Sequence, residues 1–230
     1  MIKLKKSLEI KVTEEMLLKR AGGRSNERTA QYLPEIISLG EGLLEPKTVY
    51  DVFAIDKIEE KRLYLENGQV FRSEHLCKLL IGAEKLVAMC STIGSALERK
   101  VRELSEAGDM LNSYLLDIYG AVAVGLLMRS LYQRIKQDYA GFGITVYLEP
   151  GQLDWKISDQ RVLFQLISPE QIGVSLNESF VMKPVKTTTG VFGIGDMDKV
   201  KKGVFACEVC PKRKTCTFKH EAEELLQDRV

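Results

Sequence analysis

Three cysteines and a histidine lie close together near the C-terminus, in the segment CEVCPKRKTCTFKH. Cys207, Cys210, Cys216 and His220 are separated by two, five and three residues, a spacing compact enough for all four side chains to reach one metal ion. The basic residues between them favour the thiolate form that binds metals. A zinc ion would make the segment a structural metal site or a rigid segment for docking on a partner. An iron–sulfur cluster with a fourth ligand would instead make it an electron relay.

A proline–glycine turn precedes the single tryptophan, in the segment YLEPGQLDW from residue 147 to 155. Pro150 fixes φ and Gly151 permits a positive φ, which predicts a rigid type II turn. Such a turn holds backbone amides and carbonyls at fixed positions, either as a platform for a ligand or as a connector before a helix. Trp155 would stack on a planar ligand or cover the core.

The commonest catalytic motifs are missing from the sequence. His75 and His220 are the only histidines, and neither lies near a serine or cysteine in a nucleophile motif, which argues against triad hydrolysis. The glycines of GVFGIGD do not follow the G-x-G-x-x-G spacing, and no Walker lysine–serine pair follows them. We therefore expect these glycines to serve a hairpin and close packing rather than phosphate binding.

The composition predicts a globular protein without a strong overall charge. The chain has 230 residues, 45% of them hydrophobic, and its 33 basic residues nearly cancel its 32 acidic ones. The N-terminus does not resemble a secretory signal, and the most apolar run spans 11 residues at 118–128, short of the ~20 that cross a bilayer. We expect a cytoplasmic protein with no membrane or nucleic-acid partner, in which Cys77 and Cys90 are buried and inert.

The pattern of apolar residues predicts an α+β fold of mixed helices and antiparallel sheet, without regular βαβ alternation. Two short N-terminal helices are followed by a small meander from 47 to 72, with its strongest hairpin signal at Asn67-Gly68. A buried strand, EKLVAMCSTIG, then leads into an amphipathic helix, SALERKVRELSEAG. We divide the chain into N-terminal helices and meander (1–80), a core (81–200) and a cysteine-rich tail (201–230).

The core is predicted to be built around one long helix, which starts at Asp109 and ends near Gly141. Small residues at its centre indicate that another element approaches closely, most simply a helix or the sheet; they are Gly120, Ala121, Ala123 and Gly125. A strand, GITVYLEPG, enters the Pro-Gly turn, and Ser158 is expected to cap the helix DQRVLFQLI. Two strand-like runs, SFVMKPV and TTTGVFGIG, meet at Lys186.

A set of residues at consistent spacing runs through EPGQLDWKISDQRVLFQLI and IGVSLNESFVMKPVKTTTGVFGIG. They are Pro150, Gly151, Ile172, Gly173, Leu176, Glu178, Ser179, Met182, Pro184 and Gly190. In this pattern the chain resembles the reactivation (S-adenosylmethionine-binding) domain of cobalamin-dependent methionine synthase and its free-standing relatives. The resemblance is strongest over 145–195 and extends back to LLDIYGAVAVGLLMRSL, which is similar to the family's long central helix.

The resemblance implies a methionine synthase activation domain-like core and an accessory role in methionine biosynthesis. In the family this domain binds S-adenosylmethionine and lies over the corrin of vitamin B12, so that oxidised cob(II)alamin is reduced and remethylated, and the protein contributes positioning. For this chain the resemblance implies reductive reactivation of a cobalamin-dependent methyltransferase or corrinoid protein in trans, together with an electron-donor protein.

The resemblance also implies a cofactor site, formed by Tyr147, Glu149, Pro150, Gly151, Gln152, Asp154 and Trp155. The turn backbone would approach the carboxylate and amino groups of S-adenosylmethionine, and Gln152 would face the corrin. The chain departs from the family at Tyr147, where the family has an arginine, and at Gln152, where it has a tyrosine. Without that guanidinium the ligand carboxylate needs another cation; the candidates are Lys156, Arg161, Lys183 and Lys186.

Two alternatives depend on the cysteine-rich tail, which the resemblance does not explain. An iron–sulfur protein of this fold would transfer electrons to a corrinoid protein without binding a methyl donor. A binding domain stabilised by a zinc ion in the tail would bind the corrinoid protein without catalysis. Whether the chain is itself an enzyme stays open.

Overall fold

A computed structural model of the chain describes residues 3–5, 10–21, 27–200 and 214. Its helices are α1 (Glu14–Arg20), α2 (Glu27–Ala30), α3 (Leu33–Gly42), α4 (Glu74–Leu79), α5 (Ala96–Glu106), α6 (Met110–Asp138) and α7 (Gln160–Ile167). Its strands are β1 (Lys3–Lys5), β2 (Lys47–Ile58), β3 (Arg62–Leu65), β4 (Val70–Arg72), β5 (Ala83–Thr92), β6 (Gly143–Ile144), β7 (Ser175–Leu176), β8 (Met182–Lys183) and β9 (Thr187–Gly195). Two 3₁₀ turns, Ile157–Asp159 and Pro169–Ile172, flank α7.

The main sheet has seven strands, in the order β4-β3-β2-β5-β9-β6, with β1 also paired to β2. All of its pairings are antiparallel. The strand β5 lies at the centre, because β2 pairs with one side of it and β9 with the other. Its run of apolar residues is buried from Leu86 to Cys90, as expected for a strand with helices on both faces.

The predicted meander is present as β2, β3 and β4, closed by a turn at Asn67-Gly68 in which Gly68 has a φ of +86°. However, β2 does more than form the meander, because its residues from Lys47 to Ala54 also pair with β5. One sheet therefore crosses the boundary that we predict between 1–80 and 81–200.

Helices cover both faces of the sheet. On one face α6 packs across β5 and β9, where Leu131 and Ile135 meet Tyr50, Met89 and Phe192. On the other face α7 packs over β2, β5 and β9, and α4 packs over β3. A third cluster joins α1, α3 and α5 to the N-terminal half of α6. This arrangement confirms the predicted α+β class.

The long helix α6 begins and ends as its sequence predicts. The Asp109 side chain accepts from the amide of Asn112 at 3.3 Å, and the helix ends before Gly141, which has a φ of +95°. By length and hydropathy alone α6 qualifies as a membrane span, with an 18-residue window of mean hydropathy 1.5, half of it (50%) buried inside the protein. Its contacts with three helices and the sheet are those of a core helix.

Two glycines allow close contacts around α6. At Gly120 a Cβ would lie 2.7 Å from Leu97 of α5 and 3.2 Å from the side chain of Lys186, which confirms the close approach predicted for the small residues of this helix. A contact without a sequence signal occurs at Gly40 of α3, where a Cβ would lie 2.5 Å from two carbons of the Tyr119 ring. These contacts fix α3 and α5 against α6.

Two local predictions are wrong. Ser158 does not cap α7, because it lies within a 3₁₀ turn and the N-cap residue is Asp159, whose carboxylate accepts the indole N–H of Trp155 at 2.9 Å instead of capping the helix. The predicted strand GITVYLEPG is regular only at Gly143–Ile144, since its later residues meet β9 through bonds between Thr145 and Gly193 and an isolated bridge at Leu148.

The contact between Gly40 and Tyr119 predicts an asymmetry between two glycines of the same helix. Gly40→Ala should lower the free energy of unfolding by about 1–3 kcal/mol, because the added methyl group overlaps the aromatic ring. Gly42→Ala has nothing within 4 Å of its added Cβ and should be neutral or stabilising by up to ~1 kcal/mol. Urea unfolding measures both, and equal effects would contradict the packing.

Candidate functional site

The Pro-Gly turn is held against the sheet by a pair of backbone hydrogen bonds. The amide of Leu148 donates to the carbonyl of Val191 at 2.9 Å, and the amide of Val191 donates back at 2.8 Å. Gly190 makes this approach possible, because a Cβ there would lie 2.3 Å from the Leu148 carbonyl oxygen and 2.6 Å from the Tyr147 ring. The glycine therefore fixes where the turn leaves the sheet.

The turn itself has the predicted type II geometry. Gly151 has a φ of +97°, and the amide of Gln152 donates to the carbonyl of Glu149 at 3.1 Å. Two further backbone bonds close the following loop: the amide of Gly151 donates to the carbonyl of Trp155 at 2.8 Å, and the amide of Trp155 donates to the carbonyl of Gln152 at 3.0 Å. The segment is a compact loop that supports itself.

These bonds decide which backbone groups the turn can offer to a ligand. The amides of Gly151 and Gln152, which were expected to approach a ligand carboxylate, both donate within the loop. The carbonyl oxygens of Pro150 and Gly151 accept no hydrogen bond within the part of the chain that the structure describes, and Gly151 is exposed. Because Pro150 is buried, the acceptor that the turn exposes is the carbonyl of Gly151, and its amides are not free to donate.

A polar cluster lies between the turn and β9. The Tyr147 hydroxyl donates to Thr188 Oγ1 at 3.0 Å, and Thr188 donates to Glu149 Oε1 at 2.5 Å. On the other carboxylate oxygen, Gln152 Nε2 donates to Glu149 Oε2 at 3.4 Å. Burial raises the pKa of Glu149, against the lowering effect of the hydrogen bonds from Thr188 and Tyr147, and burial also raises the pKa of Tyr147.

Asp154 anchors the far end of the loop to α4. Its carboxylate accepts from the Ser73 hydroxyl at 2.5 Å, from the Glu74 amide at 2.7 Å and from the His75 amide at 3.2 Å. Burial would raise the pKa of Asp154, but these hydrogen bonds outweigh it and the pKa is lowered. The carboxylate thus occupies the start of α4, where free amides favour an anion.

Trp155 is a core residue in this structure. It is only 3% exposed, its ring meets the edge of Phe71 at a centroid distance of 5.5 Å, and its N–H is donated to Asp159. Of the two roles open to it from the sequence, covering the core is the one that the structure shows. Asp154 and Trp155 therefore hold the turn in place.

The candidate substitute cations have different surroundings. Lys186 is 14% exposed and pairs with Asp117 of α6 at 2.8 Å. Arg161 lies over the ring of Phe180, 4.8 Å from its centroid. The remaining two are exposed: Lys156 and Lys183.

Threonines on β9 are the site residues that sequence reasoning missed. Thr188 joins Tyr147 to Glu149, and Thr189 donates to Gln160 Oε1 at 2.5 Å on the opposite face, which ties α7 to the sheet. Their sequence signal is the run TTTG, in which neighbouring residues of a strand point to opposite faces. The pairing partners could not be read from the chain, since 39 residues separate Thr188 from Glu149.

The predicted metal ligands Cys207, Cys210, Cys216 and His220 lie outside the described residues. Over the described part of the chain, the structure shows no group of three or more side chains that would hold a metal ion. Cys77 and Cys90 are buried free thiols, and burial raises the pKa of Cys77 to about 11, which agrees with the prediction that they are inert.

The sequence matches no protein-family model and no curated protein. In structure, the chain is similar to the crystal structure of the MetH reactivation domain bound to AdoHcy, with a TM-score of 0.57 and 13% sequence identity. The match covers 84% of this chain and 78% of that chain. The chain has the fold of the MetH reactivation domain. This likeness confirms the fold expected from the sequence resemblance.

The Asp154 contacts predict that its carboxylate stabilises the loop and α4 together. Asp154→Ala should lower the free energy of unfolding by about 1–2 kcal/mol, because the Ser73 hydroxyl, two backbone amides and the His75 ring nitrogen lose their partner. Asp198→Ala, an exposed aspartate in the turn after β9, is the matched control and should change stability by less than about 0.5 kcal/mol. The fluorescence of Trp155, the only tryptophan, reports on the loop during unfolding.

The raised pKa of Glu149 predicts a pH-dependent stability. A carboxyl whose folded-state pKa lies above its ordinary value contributes stability below the ordinary pKa, and this contribution is lost as the pH rises through the raised value. Glu149→Gln cannot ionise, so its stability relative to the natural chain should increase as the pH rises from the ordinary glutamate pKa of about 4.3 through the raised value. Exposed Glu66→Gln is the control. A pH-independent difference for Glu149→Gln would contradict the assignment.

Proposed function

We propose that this chain is an accessory protein for the reductive reactivation (remethylation) of a cobalamin-dependent methyltransferase such as methionine synthase. It acts in trans on a cobalamin-carrying partner and binds S-adenosylmethionine at the Pro-Gly turn. The observation that carries the proposal is the fold shared with a domain that binds AdoHcy, over 84% of this chain. The rigid turn beside β9 supports the location of the ligand site.

The residues of the turn suit the positively charged groups of S-adenosylmethionine better than its carboxylate. S-adenosylmethionine carries a positive ammonium group, a positive sulfonium centre and a negative carboxylate. The carbonyl oxygen of exposed Gly151 and the carboxyl of Glu149 are acceptors, which suit the positive groups. The amides of the turn are engaged within the loop and do not suit the carboxylate.

The ligand carboxylate needs a cation, and Lys186 is the candidate that the fold favours. Lys186 precedes Thr188 by two residues, so both side chains point to the same face of the sheet. Its partner Asp117 keeps 52% of its side chain exposed, which leaves room for exchange between Asp117 and a ligand carboxylate. A lysine binds a carboxylate as a point charge, without the bidentate geometry of arginine.

The contribution of the chain itself is binding and orientation. The methyl group is supplied by S-adenosylmethionine, and the corrin belongs to the partner. Asp154 and Trp155 keep the loop rigid, which lowers the entropy cost of ordering a ligand against it. Gln152, proposed to face the corrin, has its side-chain amide against Glu149.

The cysteine-rich tail supports a second candidate function. The spacing of Cys207, Cys210 and Cys216 suits an iron–sulfur cluster that would relay electrons to the corrinoid partner, or a zinc ion that would stabilise a docking segment. Anaerobic purification separates these two: a visible absorbance bleached by dithionite supports the cluster, and stoichiometric colourless zinc supports the docking segment. A cytoplasmic location suits either form.

Ligand binding tests the proposal directly. Isothermal titration calorimetry should detect both S-adenosylmethionine and AdoHcy, and Gly151→Ala should weaken the binding of S-adenosylmethionine about tenfold or more. The reason is that Gly151 has a φ of +97° and an added Cβ would lie 3.3 Å from Ile157, so the turn must shift.

A second left-handed glycine provides the matched control. Gly68→Ala has a similar φ of +86° with nothing within 4 Å of its Cβ, and lies at the tip of the meander. It should lose a similar amount of stability without loss of ligand binding. No heat from either ligand with the natural chain would overturn the ligand part of the proposal.

A further inference from the structure

Glu149 carries a carboxyl group that has polar partners but no positive one. Thr188 and Gln152 donate hydrogen bonds to its two oxygens, and Tyr147 lies beside it. Among the residues that the structure describes, no ion pair includes Glu149. Lys186, which immediately precedes β9, is paired with Asp117.

This arrangement is costly for an ionised carboxylate. Removing a negative charge from water without a counter-charge is unfavourable, and neutral hydrogen bonds recover only part of the loss. Accordingly, burial raises the pKa of Glu149. Tyr147 does not help to neutralise it, because a phenol can only be neutral or negative. The hydrogen-bonding partners nonetheless fix the carboxyl next to the buried Pro150, one residue before the exposed Gly151.

We propose that Glu149 is the charge-selective residue of the ligand site, where its carboxylate lies against the positively charged sulfonium of the ligand. The cation supplies the missing counter-charge. The site then favours the sulfonium S-adenosylmethionine over the neutral thioether AdoHcy, two ligands that otherwise share the same amino acid and nucleoside parts. This inference rests on the proposed function, since it assigns the ligand class of the same turn.

Charge selection has a consequence for the order of events at the site. After the methyl group has left, the remaining thioether has lost the positive charge on sulfur, and the interaction with Glu149 is lost with it. The spent ligand therefore dissociates more readily than the methyl donor does. A new methyl donor can then replace it without a conformational change. A glutamine at the same position would accept the same hydrogen bond from Thr188 but could not make this distinction.

Calorimetry on the full chain with the two ligands tests the assignment. The natural chain should bind S-adenosylmethionine about tenfold or more tightly than AdoHcy, as expected for the electrostatic attraction between a partly buried carboxylate and a sulfonium. Glu149→Gln should reduce this preference to about threefold or less, chiefly by weakening the binding of S-adenosylmethionine. Glu66→Gln, an exposed carboxylate on the meander, should retain the preference of the natural chain.

Proton release provides a measurement that needs no variant. Because a bound cation favours the ionised carboxylate, the natural chain should release protons on binding S-adenosylmethionine near the raised pKa of Glu149, and fewer on binding AdoHcy. Titrations in two buffers of different ionisation enthalpy count these protons.

The outcomes separate this inference from the proposed function. Binding of both ligands with equal affinity and without proton release would overturn the role of Glu149 and leave the proposed ligand class standing. Binding of neither ligand would overturn both. A preference for S-adenosylmethionine that Glu149→Gln keeps, in a variant that unfolds cooperatively like the natural chain, would assign the selection to another residue.

Discussion

The backbone pairing of Leu148 with Val191 determines where every group of the candidate site lies. It depends on Gly190, because any side chain there would overlap the Leu148 carbonyl and the Tyr147 ring. Once this pairing is made, Tyr147 and Glu149 lie on either side of Leu148 in the chain, and both meet Thr188 of β9 through hydrogen bonds. A single glycine thus links the central sheet to the polar cluster of the turn.

The other end of the loop is fixed by side chains rather than by backbone pairing. Asp154 joins the loop to α4, and Trp155 fills the space between the loop and Phe71. With both ends anchored and its own amides bonded internally, the turn is a preformed structure that offers the Gly151 carbonyl oxygen and, beside it, the Glu149 carboxyl group. Because these groups are hydrogen-bond acceptors and one can carry a negative charge, the turn favours a positively charged ligand.

The sequence predicted the elements of this protein better than their partners. Hydrophobic periodicity and turn residues identified the meander, the central strand and the long helix from Asp109, because these signals are local. The pairing of β2 with β5, the contact of Gly40 with Tyr119 and the bond from Thr188 to Glu149 join residues far apart in the chain. Asp154 and Trp155 were predicted to contact a cofactor, and only their packing shows that they support the turn.

The shared fold, the preformed turn and the Glu149 carboxyl support one central proposal: the turn holds a cationic adenosyl ligand against a cobalamin-carrying partner. Biolayer interferometry of the chain against a cobalamin-dependent methyltransferase in its cob(II) state tests this claim most directly. The account predicts binding that S-adenosylmethionine strengthens and that Gly151→Ala weakens while Gly68→Ala does not. Equal binding with and without the ligand, or no binding at all, would contradict it.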